Sequence, residues 1–486
     1  MVKEIEKLSQ EDLLDLCKNN PEAAADIITA LLPLVEKVQV LEAHIKELER
    51  QIDSNSKNSH RPPGSEPFRK PKSERKRGGR NGGQPGHKGT RLEIVQKPDE
   101  IVTHQVCECS ECRHELNTTT PTHVIKRQVF DLPTPRIIVT EHQGEVKICP
   151  VCGKKTIAEF PHGVDAPTQY GDNIKSMVVY LNTQQLLPLE RVTELIEAWT
   201  GHRISEATIL HHIEQMQHAV KPCEQEIREQ LLNSSVLNAD ESGLRVNGKL
   251  HWLHVVSNES YTYYSVHAKR GFAAIEDIGL LTEYDGVLVS DCYASYFNKA
   301  ITALHALCNA HITRELQGVW DYDRLKWARD MKEFLLAVWD DTKERRGRNT
   351  PATTDEIVAI VHRMRDILLD GERENVSLTF PRSKRTKRPA KHKAVNLWER
   401  IFYNHENILC FVVDDNVPFT NNQAEQDIRM IRVKSKISGT FRTTQGATAF
   451  ASIRSVISSL RKQNRNVFAS LAQILAGEFS FLPQGS

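Results

Sequence analysis

Along the chain, apolar residues first fall into a regular pattern at Leu34, Val38, Leu41, Ile45, Leu48 and Ile52, spaced alternately by four and three. That spacing predicts a helix with an a/d seam, short enough that it either joins two copies of the chain or packs on its own protein. The pattern then stops: residues 54–100 are rich in Gly, Pro and Ser and hold too few apolar positions to bury a core. From about 101 to 160, short β-like runs such as RQVFDLP and RIIVTEH lie between cysteine pairs. Residues 172–219 return to helical spacing and predict three helices. One ends near Gly201 and the next starts at Ser205, a residue type that caps helix N-termini. A tight turn between two helices fits a helix-turn-helix whose second helix, 205–219, would enter a major groove.

Past residue 233 the period becomes two. VLNAD, GLRV, KLHWLHVV and YTYYSVHA read as successive strands. Asn247-Gly248 marks a hairpin between the second and third, because a two-residue turn of that type needs positive φ at both positions. A helix over 272–281 is followed by the strands GVLVSD and ALHALC; helical patterns fill 323–370 and 422–476. No internal repeat is present.

Composition alters this picture in two places. The 486 residues exceed what one compact core organises, so several domains are expected. The formal net charge of +1 conceals strong asymmetry: residues 57–91 hold eleven Lys or Arg against two Glu, and Arg382–Lys393 holds seven basic residues and no acid. Such runs suit a polyanion, and the first, with Arg75, Lys76, Arg77 and Arg80 at its centre, reads as a flexible linker able to track phosphates. The N-terminal sequence MVKEIEKLSQEDLLDL lacks the order of a signal peptide, and no apolar run approaches the roughly 20 residues of a membrane span. A cytoplasmic protein is expected, with no membrane partner.

Ten cysteines in such a protein point to metal binding where they pair closely. Cys109-x2-Cys112 and Cys149-x2-Cys152 have the spacing of two zinc knuckles, which together would give a closed, structural Zn²⁺ site. Cys107 offers a less suitable CxC alternative within the first. Cys17, Cys223, Cys292 and Cys410 are isolated and read as small buried residues. Cys308-x2-His311 is half a metal site with no second pair nearby, which favours an orienting role. Among acids, Asp240 ends VLNAD, Asp291 ends GVLVSD, and Glu425 opens a late helix for which Thr420 and Gln423 can form a capping box. Two acid-bearing strands and a late acid-bearing helix could supply the hard oxygen ligands that phosphodiester cleavage by Mg²⁺ or Mn²⁺ requires. Glu425, Arg429, Arg432 and Lys436 share one helix face, as a metal site lying along a DNA backbone would need. The competing reading of that face is a row of solvated ion pairs.

NADESGLRVNGKLHWLHV, VLVSDCYASY, LCNAHITREL and PFTNNQAEQDIRMIRVKSKISGTFR resemble the transposases of the insertion-sequence-66 family (TnpC type). So do GGQPGHKG, the cysteine pairs and YGDNIKSMVVYLNTQQLLPLERV, in the same order over nearly the whole chain. The resemblance implies a ribonuclease H-like core with a helical insertion before the last acid, and a catalytic DDE triad falling on Asp240, Asp291 and Glu425. Cys308 and His311 match a Cys-x2-His signature found between the second and third acids. This chain has Ser242 where Thr is commoner, and Thr420-Asn421-Asn422 where Asp-Asn-Asn is frequent; neither change touches a triad acid.

The expected organisation is therefore multidomain α+β. Residues 1–53 would form N-terminal helices and a coiled coil, 54–100 the basic linker, 101–165 a zinc-ribbon-like module and 166–232 the helix-turn-helix. The ribonuclease H-like α/β catalytic core would take 233–320 and 395–455, interrupted by a helical insertion at 321–394 and followed by a helical tail at 456–486. The expected function is binding of an element's terminal inverted repeats, cleavage to free 3′-OH ends and their joining to target DNA by two-metal phosphoryl transfer. A bacterial, nucleoid-associated homo-oligomer acting with accessory proteins of the same element is implied. The rival readings are a domesticated, non-catalytic DNA-binding regulator and a structure-selective nuclease on the same fold.

Overall fold

The computed structural model describes residues 92–161, 163–376 and 391–482, with scattered helical positions between 14 and 49. Arg75, Lys76, Arg77 and Arg80, most of the run from Arg382, and Leu34, Leu41 and Ile52 of the heptad seam lie outside the described residues. No helix among the described residues is long and apolar enough to cross a membrane.

The centre of the fold is a five-stranded mixed sheet, so the architecture is α+β. In chain order its strands are β3 (Val236–Val246), β4 (Lys249–Ser257), β5 (Thr262–His267), β6 (Val287–Ser290) and β7 (Leu304–Leu307), arranged β5-β4-β3-β6-β7. β5, β4 and β3 are antiparallel neighbours, whereas β6 and β7 pair parallel. Asn247 and Gly248 close the β3–β4 hairpin with φ of 47° and 73°, the left-handed pair that the sequence signal requires. One expectation is corrected: VLNAD and GLRV are not separate strands. Glu241, Ser242 and Gly243 keep pairing with His254, Leu253 and Trp252, so Asp240 sits inside an eleven-residue strand rather than at its end.

Thirteen helices are described: α1 (Asp172–Val179), α2 (Leu189–Thr200), α3 (Glu206–Ala219), α4 (Lys221–Leu232), α5 (Phe272–Ile278), α6 (Asn309–Asp323), α7 (Lys326–Gly347), α8 (Thr354–Asn375), α9 (Lys393–Tyr403), α10 (His405–Val413), α11 (Asn422–Ser438), α12 (Thr444–Lys462) and α13 (Val467–Leu475). Strand alternation divides them between the two sheet faces. Leu237, Ala239 and Leu288 point to a core shared with α1–α4, α12 and α13. Leu244, Val246, Leu253 and Val255 meet Ala424, Ile428 and Ile431 of α11 on the opposite face, while Val287, Val289 and Ala306 meet the helices between α6 and α10. Because Ile209, Met216, Ile227 and Leu231 lie in the same core as Leu237 and Leu288, helices α1–α4 are continuous with the sheet layer; the boundary expected at 232/233 passes through packed side chains.

Helix α12 also covers a sheet edge. β5 exposes an outer row of N–H groups, which an edge strand must pair or shield. The Ser455 hydroxyl accepts from Tyr264 N at 2.8 Å and Ser459 from Thr262 N at 3.0 Å, four residues apart on one helix face. Replacing both serines with Ala should leave two buried donors unpaired and lower stability by about 1–3 kcal/mol per donor, slightly offset by the better helix propensity of Ala. Urea denaturation reads this out as a lowered midpoint.

Upstream, residues 101–160 hold little regular secondary structure. The runs RQVFDLP and RIIVTEH form no strand; the short pair β1 (Val146–Ile148) and β2 (Lys155–Ile157) is a hydrogen-bonded hairpin around Cys149 and Cys152, and a single antiparallel bridge, Glu108 to Glu115, closes the turn around Cys109 and Cys112. Val129, Leu132, Val139 and Val151 are each more than 80% exposed, so this segment has no apolar core of its own.

Candidate active site

Register brings the first two acids together. Asn238 of β3 pairs in parallel with Val289 of β6, and Asp240 and Asp291 each lie two residues further on. With a side-chain period of two, both carboxylates therefore leave the same face of adjacent strands, where β6 has ended and β3 continues. Asp240 Oδ1 accepts from the Glu241 N–H at 2.8 Å, and Asp291 Oδ1 from the Tyr293 N–H at 3.0 Å.

The third acid arrives on α11, which lies over β3 and β4. Its entry is fixed by Asn421, only 2% exposed. The Asn421 amide nitrogen donates to the Ala239 carbonyl at 2.7 Å, and its amide oxygen accepts from Asn238 Nδ2 at 2.9 Å. The Asn421 backbone N–H donates to Cys308 Sγ at 3.2 Å. This clasp joins the start of α11 to the two residues preceding Asp240 and to the end of β7. It also replaces the expected Thr420–Gln423 capping box: Asn421 is the N-cap, its side chain is engaged across the fold, and Gln423 reaches forward to Asp427 at 3.1 Å.

One turn later Glu425 is half-buried, with His311 Nδ1 3.8 Å and Arg314 4.0 Å from its carboxylate. Arg429, Arg432 and Lys436 follow on the same helix face and are exposed. Burial holds the Asp240 carboxyl up to about 7, reinforced by the neighbouring charges of Glu241, Asp291 and Glu425. Glu425 is also raised, by burial first, against the opposing pull of Arg314, Arg429 and Arg432. The three acids thus feel one another across separations of 51 and 134 residues in sequence. A cluster of carboxylates whose ionisation is mutually unfavourable is relieved by a cation, and an all-oxygen donor set suits a hard divalent ion such as Mg²⁺.

Behind this cluster lies a network without a sequence signal. Glu241 projects to the other side of β3, where Tyr296 donates its hydroxyl to Oε2 at 2.6 Å and Arg270 donates Nε–H to Oε1 at 2.7 Å. The Arg270 guanidinium stacks 4.2 Å over the ring of Tyr293, whose N–H holds Asp291. Glu241, Arg270 and Tyr296 come from a strand, a loop and a 3₁₀ turn, so no local spacing announces them. Asn238 and Asn421 stand within the motifs that carry the family resemblance, but no local spacing announces that their side chains meet.

The cysteine pairs each adopt a knuckle. Arg113 and Gly153 have φ of 58° and 70°, and their N–H groups return to the carbonyls of Cys109 and Cys149. Backbone N–H groups of Cys112 and Glu111 lower the Cys109 thiol, and those of Cys152 and Val151 lower the Cys149 thiol. Each pair thus sets two thiols on one tight turn, the spacing of a candidate half-site for a soft cation. The structure does not bring the two pairs into one group: among the described residues, only Cys308, His311 and Glu425 place three metal-ligating atoms within 4.8 Å of one another.

Helix α3 begins as the sequence implies, with Gly201 left-handed at φ 70° and Ser205 accepting from Thr208 N at 3.1 Å. Its inner face is buried, and its outer face presents Glu206, Leu210, His211, Glu214 and His218 without a single Lys or Arg.

An α+β sheet that gathers carboxylates from two parallel strands and a covering helix defines a candidate metal-dependent phosphoryl-transfer site. Residues 167–449, more than half of the chain, match the family described as Transposase IS66 family, and the chain belongs to that family of DNA-processing enzymes. Residues 14–93 match a second family, of unknown function (DUF6444). No curated protein matches the chain.

Proposed function

We propose that this chain is a DDE transposase with a ribonuclease H-like core, in which Asp240, Asp291 and Glu425 are the catalytic acids. The reading is supported by the register that sets Asp240 and Asp291 on one face of adjacent strands, and by the charges of Asp291 and Glu425 acting on Asp240. The acids would hold divalent cations, Mg²⁺ or Mn²⁺, which when bound polarise a phosphodiester oxygen and lower the pKa of an attacking water. The chain's own side chains do the rest. Asp240 and Asp291 fix the strand-borne half of the site, and Glu425 closes it from above. Arg429, Arg432 and Lys436 give the exposed face of α11 a row of cations against a phosphate backbone, and Arg75, Lys76, Arg77 and Arg80 add a second basic stretch.

The test compares Asp291→Ala and Glu425→Ala with wild type on a donor DNA carrying the element's ends, with Mg²⁺ present. Strand cleavage and 3′-end joining should be lost while end binding by gel shift persists. Mg²⁺-dependent cleavage at wild-type rate in both variants would refute the assignment. A structure-selective nuclease would cut branched DNA without joining ends, and a domesticated regulator would bind without cutting, so the same assay distinguishes these rivals.

The two cysteine knuckles are further proposed to share one structural Zn²⁺. Four thiolates gather favourably only around a cation, and doing so would draw the exposed segment 101–160 together. Cys152→Ser should then lose one Zn²⁺ per chain by elemental analysis and render this segment more susceptible to protease. Unchanged zinc content would dismiss the shared site.

A further inference from the structure

Beside the acid cluster stands a donor set of a different chemical kind. Cys308 immediately precedes α6 and is 1% exposed; His311 follows one turn into that helix; Glu425 reaches down from α11. One ligating atom from each lies within 4.8 Å of the others, with His311 Nδ1 and Glu425 Oε1 3.8 Å apart. In a tetrahedral zinc site, bond lengths near 2.0–2.3 Å put ligand atoms roughly 3.3–3.8 Å from each other, so closure requires a shift of about 1 Å.

A second observation is independent of these distances. The Cys308 sulfur is faced by the backbone N–H groups of His311 and Ala310, three and two residues on, and by that of Asn421. Cys109 and Cys149 receive N–H groups from the same two offsets, Cys112 with Glu111 and Cys152 with Val151. Cys308-x2-His311 is therefore a third knuckle, with His in place of the second Cys. Burial raises the Cys308 thiol to about 11 and Glu425 adds to the rise, while these N–H groups and the positive end of α6 act against it, so a thiolate would form here only with the cation bound.

We infer that Cys308, His311 and Glu425 form a binding site for a soft divalent cation of the Zn²⁺ class. One thiolate and one carboxylate balance the charge of such an ion, and three protein ligands leave a fourth position open, as in zinc sites that accept water or a substrate oxygen. The site differs from the all-oxygen cluster in its sulfur and nitrogen donors, which Mg²⁺ avoids. The two sites share one ligand. Glu425 held by Zn²⁺ is withdrawn from Asp240 and Asp291, so Zn²⁺ should inhibit Mg²⁺-supported cleavage; this consequence, unlike the binding itself, rests on the proposed catalytic triad.

Binding is measured on the full-length chain, equilibrated with Zn²⁺, desalted and analysed for metal. Wild type should retain one ion per chain more than Cys308→Ser or His311→Gln, whatever the knuckles at 109–152 hold, since all three proteins carry them. Co²⁺ substitution gives a second reading: the Cys308→Ser difference spectrum should contain a thiolate-to-cobalt charge-transfer band. Circular dichroism establishes that the partly exposed His311→Gln variant is folded. Equal metal content in all three folded proteins, with no cobalt–thiolate difference, would overturn the site. In the cleavage assay, added Zn²⁺ should cut the wild-type rate by a larger fraction than that of His311→Gln, each compared with its own Mg²⁺-supported rate. If no protein cleaves DNA with Mg²⁺, the triad assignment fails while the metal count still decides the zinc site.

Discussion

Asp240→Asn should abolish Mg²⁺-dependent strand cleavage and, in the same protein, raise the melting temperature of the metal-free chain at pH 8. The loss follows from the proposed role of Asp240 as a metal ligand with Asp291 and Glu425, whose charges act on it: a neutral amide there would weaken cation binding. Lewis-acid stabilisation is worth several kcal/mol, which corresponds to a decrease of about 10³-fold or more in rate. The gain follows from the same crowding. The Asp240 carboxyl is held up to about 7 from an ordinary value of 3.8, by burial first and then by its acidic neighbours. A folded pKa raised above the unfolded one means that the folded state prefers the protonated form. That contribution to stability is complete below the unfolded value and is lost as pH rises through the folded value. At pH 8 the wild-type chain thus carries an unfavourable buried charge that Asn removes; near pH 4 the advantage of Asn should disappear. Mg²⁺ should stabilise wild type at pH 8 and the variant much less, by linkage. Thermal melts of both proteins at the two pH values, with and without Mg²⁺, read out all of these outcomes. An Asp240→Asn variant that melts lower than wild type at pH 8 without metal would remove the argument that this residue sits among mutually repelling carboxylates.

The second large effect is expected at a residue that bears no charge. Asn421→Ala should destabilise the fold by roughly 1–3 kcal/mol for each buried partner left unpaired, and should lower cleavage out of proportion to that loss. Its amide joins Asn238 and the Ala239 carbonyl, all buried, and nothing on β3 could replace it without moving α11. Glu425 lies only one helical turn beyond this anchor, so a small rotation of α11 displaces its carboxylate from Asp240 and Asp291. Asn421→Asp is the sharper probe. It preserves size and the acceptor facing Asn238, yet turns a donor into an acceptor opposite the Ala239 carbonyl. Both variants should keep near-normal DNA binding, because Arg429, Arg432 and Lys436 remain on the exposed side of the helix. Urea denaturation reports the stability change, and cleavage rates measured well below the denaturation midpoint report the displacement. Wild-type cleavage by a clearly destabilised Asn421→Ala would show that the clasp supports the fold without positioning the acid.

Much of the local structure was written in local chemistry. The Asn247-Gly248 turn, the Ser205 cap, the left-handed Gly201 and the apolar face of α11 depend on neighbours within a few residues, and each is present. The cysteine knuckles are local as well, since two residues between thiols dictate a single turn. Family resemblance supplied the order of the acid-bearing segments, and the family match bears out that identity over 167–449.

What only the tertiary structure decided is everything that rests on long-range register. Asp240 lies within one continuous strand because β4 pairs along its whole length, a fact that the polar break Glu241-Ser242-Gly243 conceals. Asn421 turns from helix capping to clasping because β3 arrives 182 residues earlier in sequence to meet it. Helices α1–α4 join the sheet core because their apolar faces find Leu237 and Leu288 there. Periodicity states which side of an element is apolar but not which distant surface it will cover, since that choice is made by the packing of the whole chain. For the same reason the sequence could nominate three acids, while only the register of two parallel strands sets Asp240 and Asp291 on one face, and only the anchoring of α11 places Glu425 over that sheet.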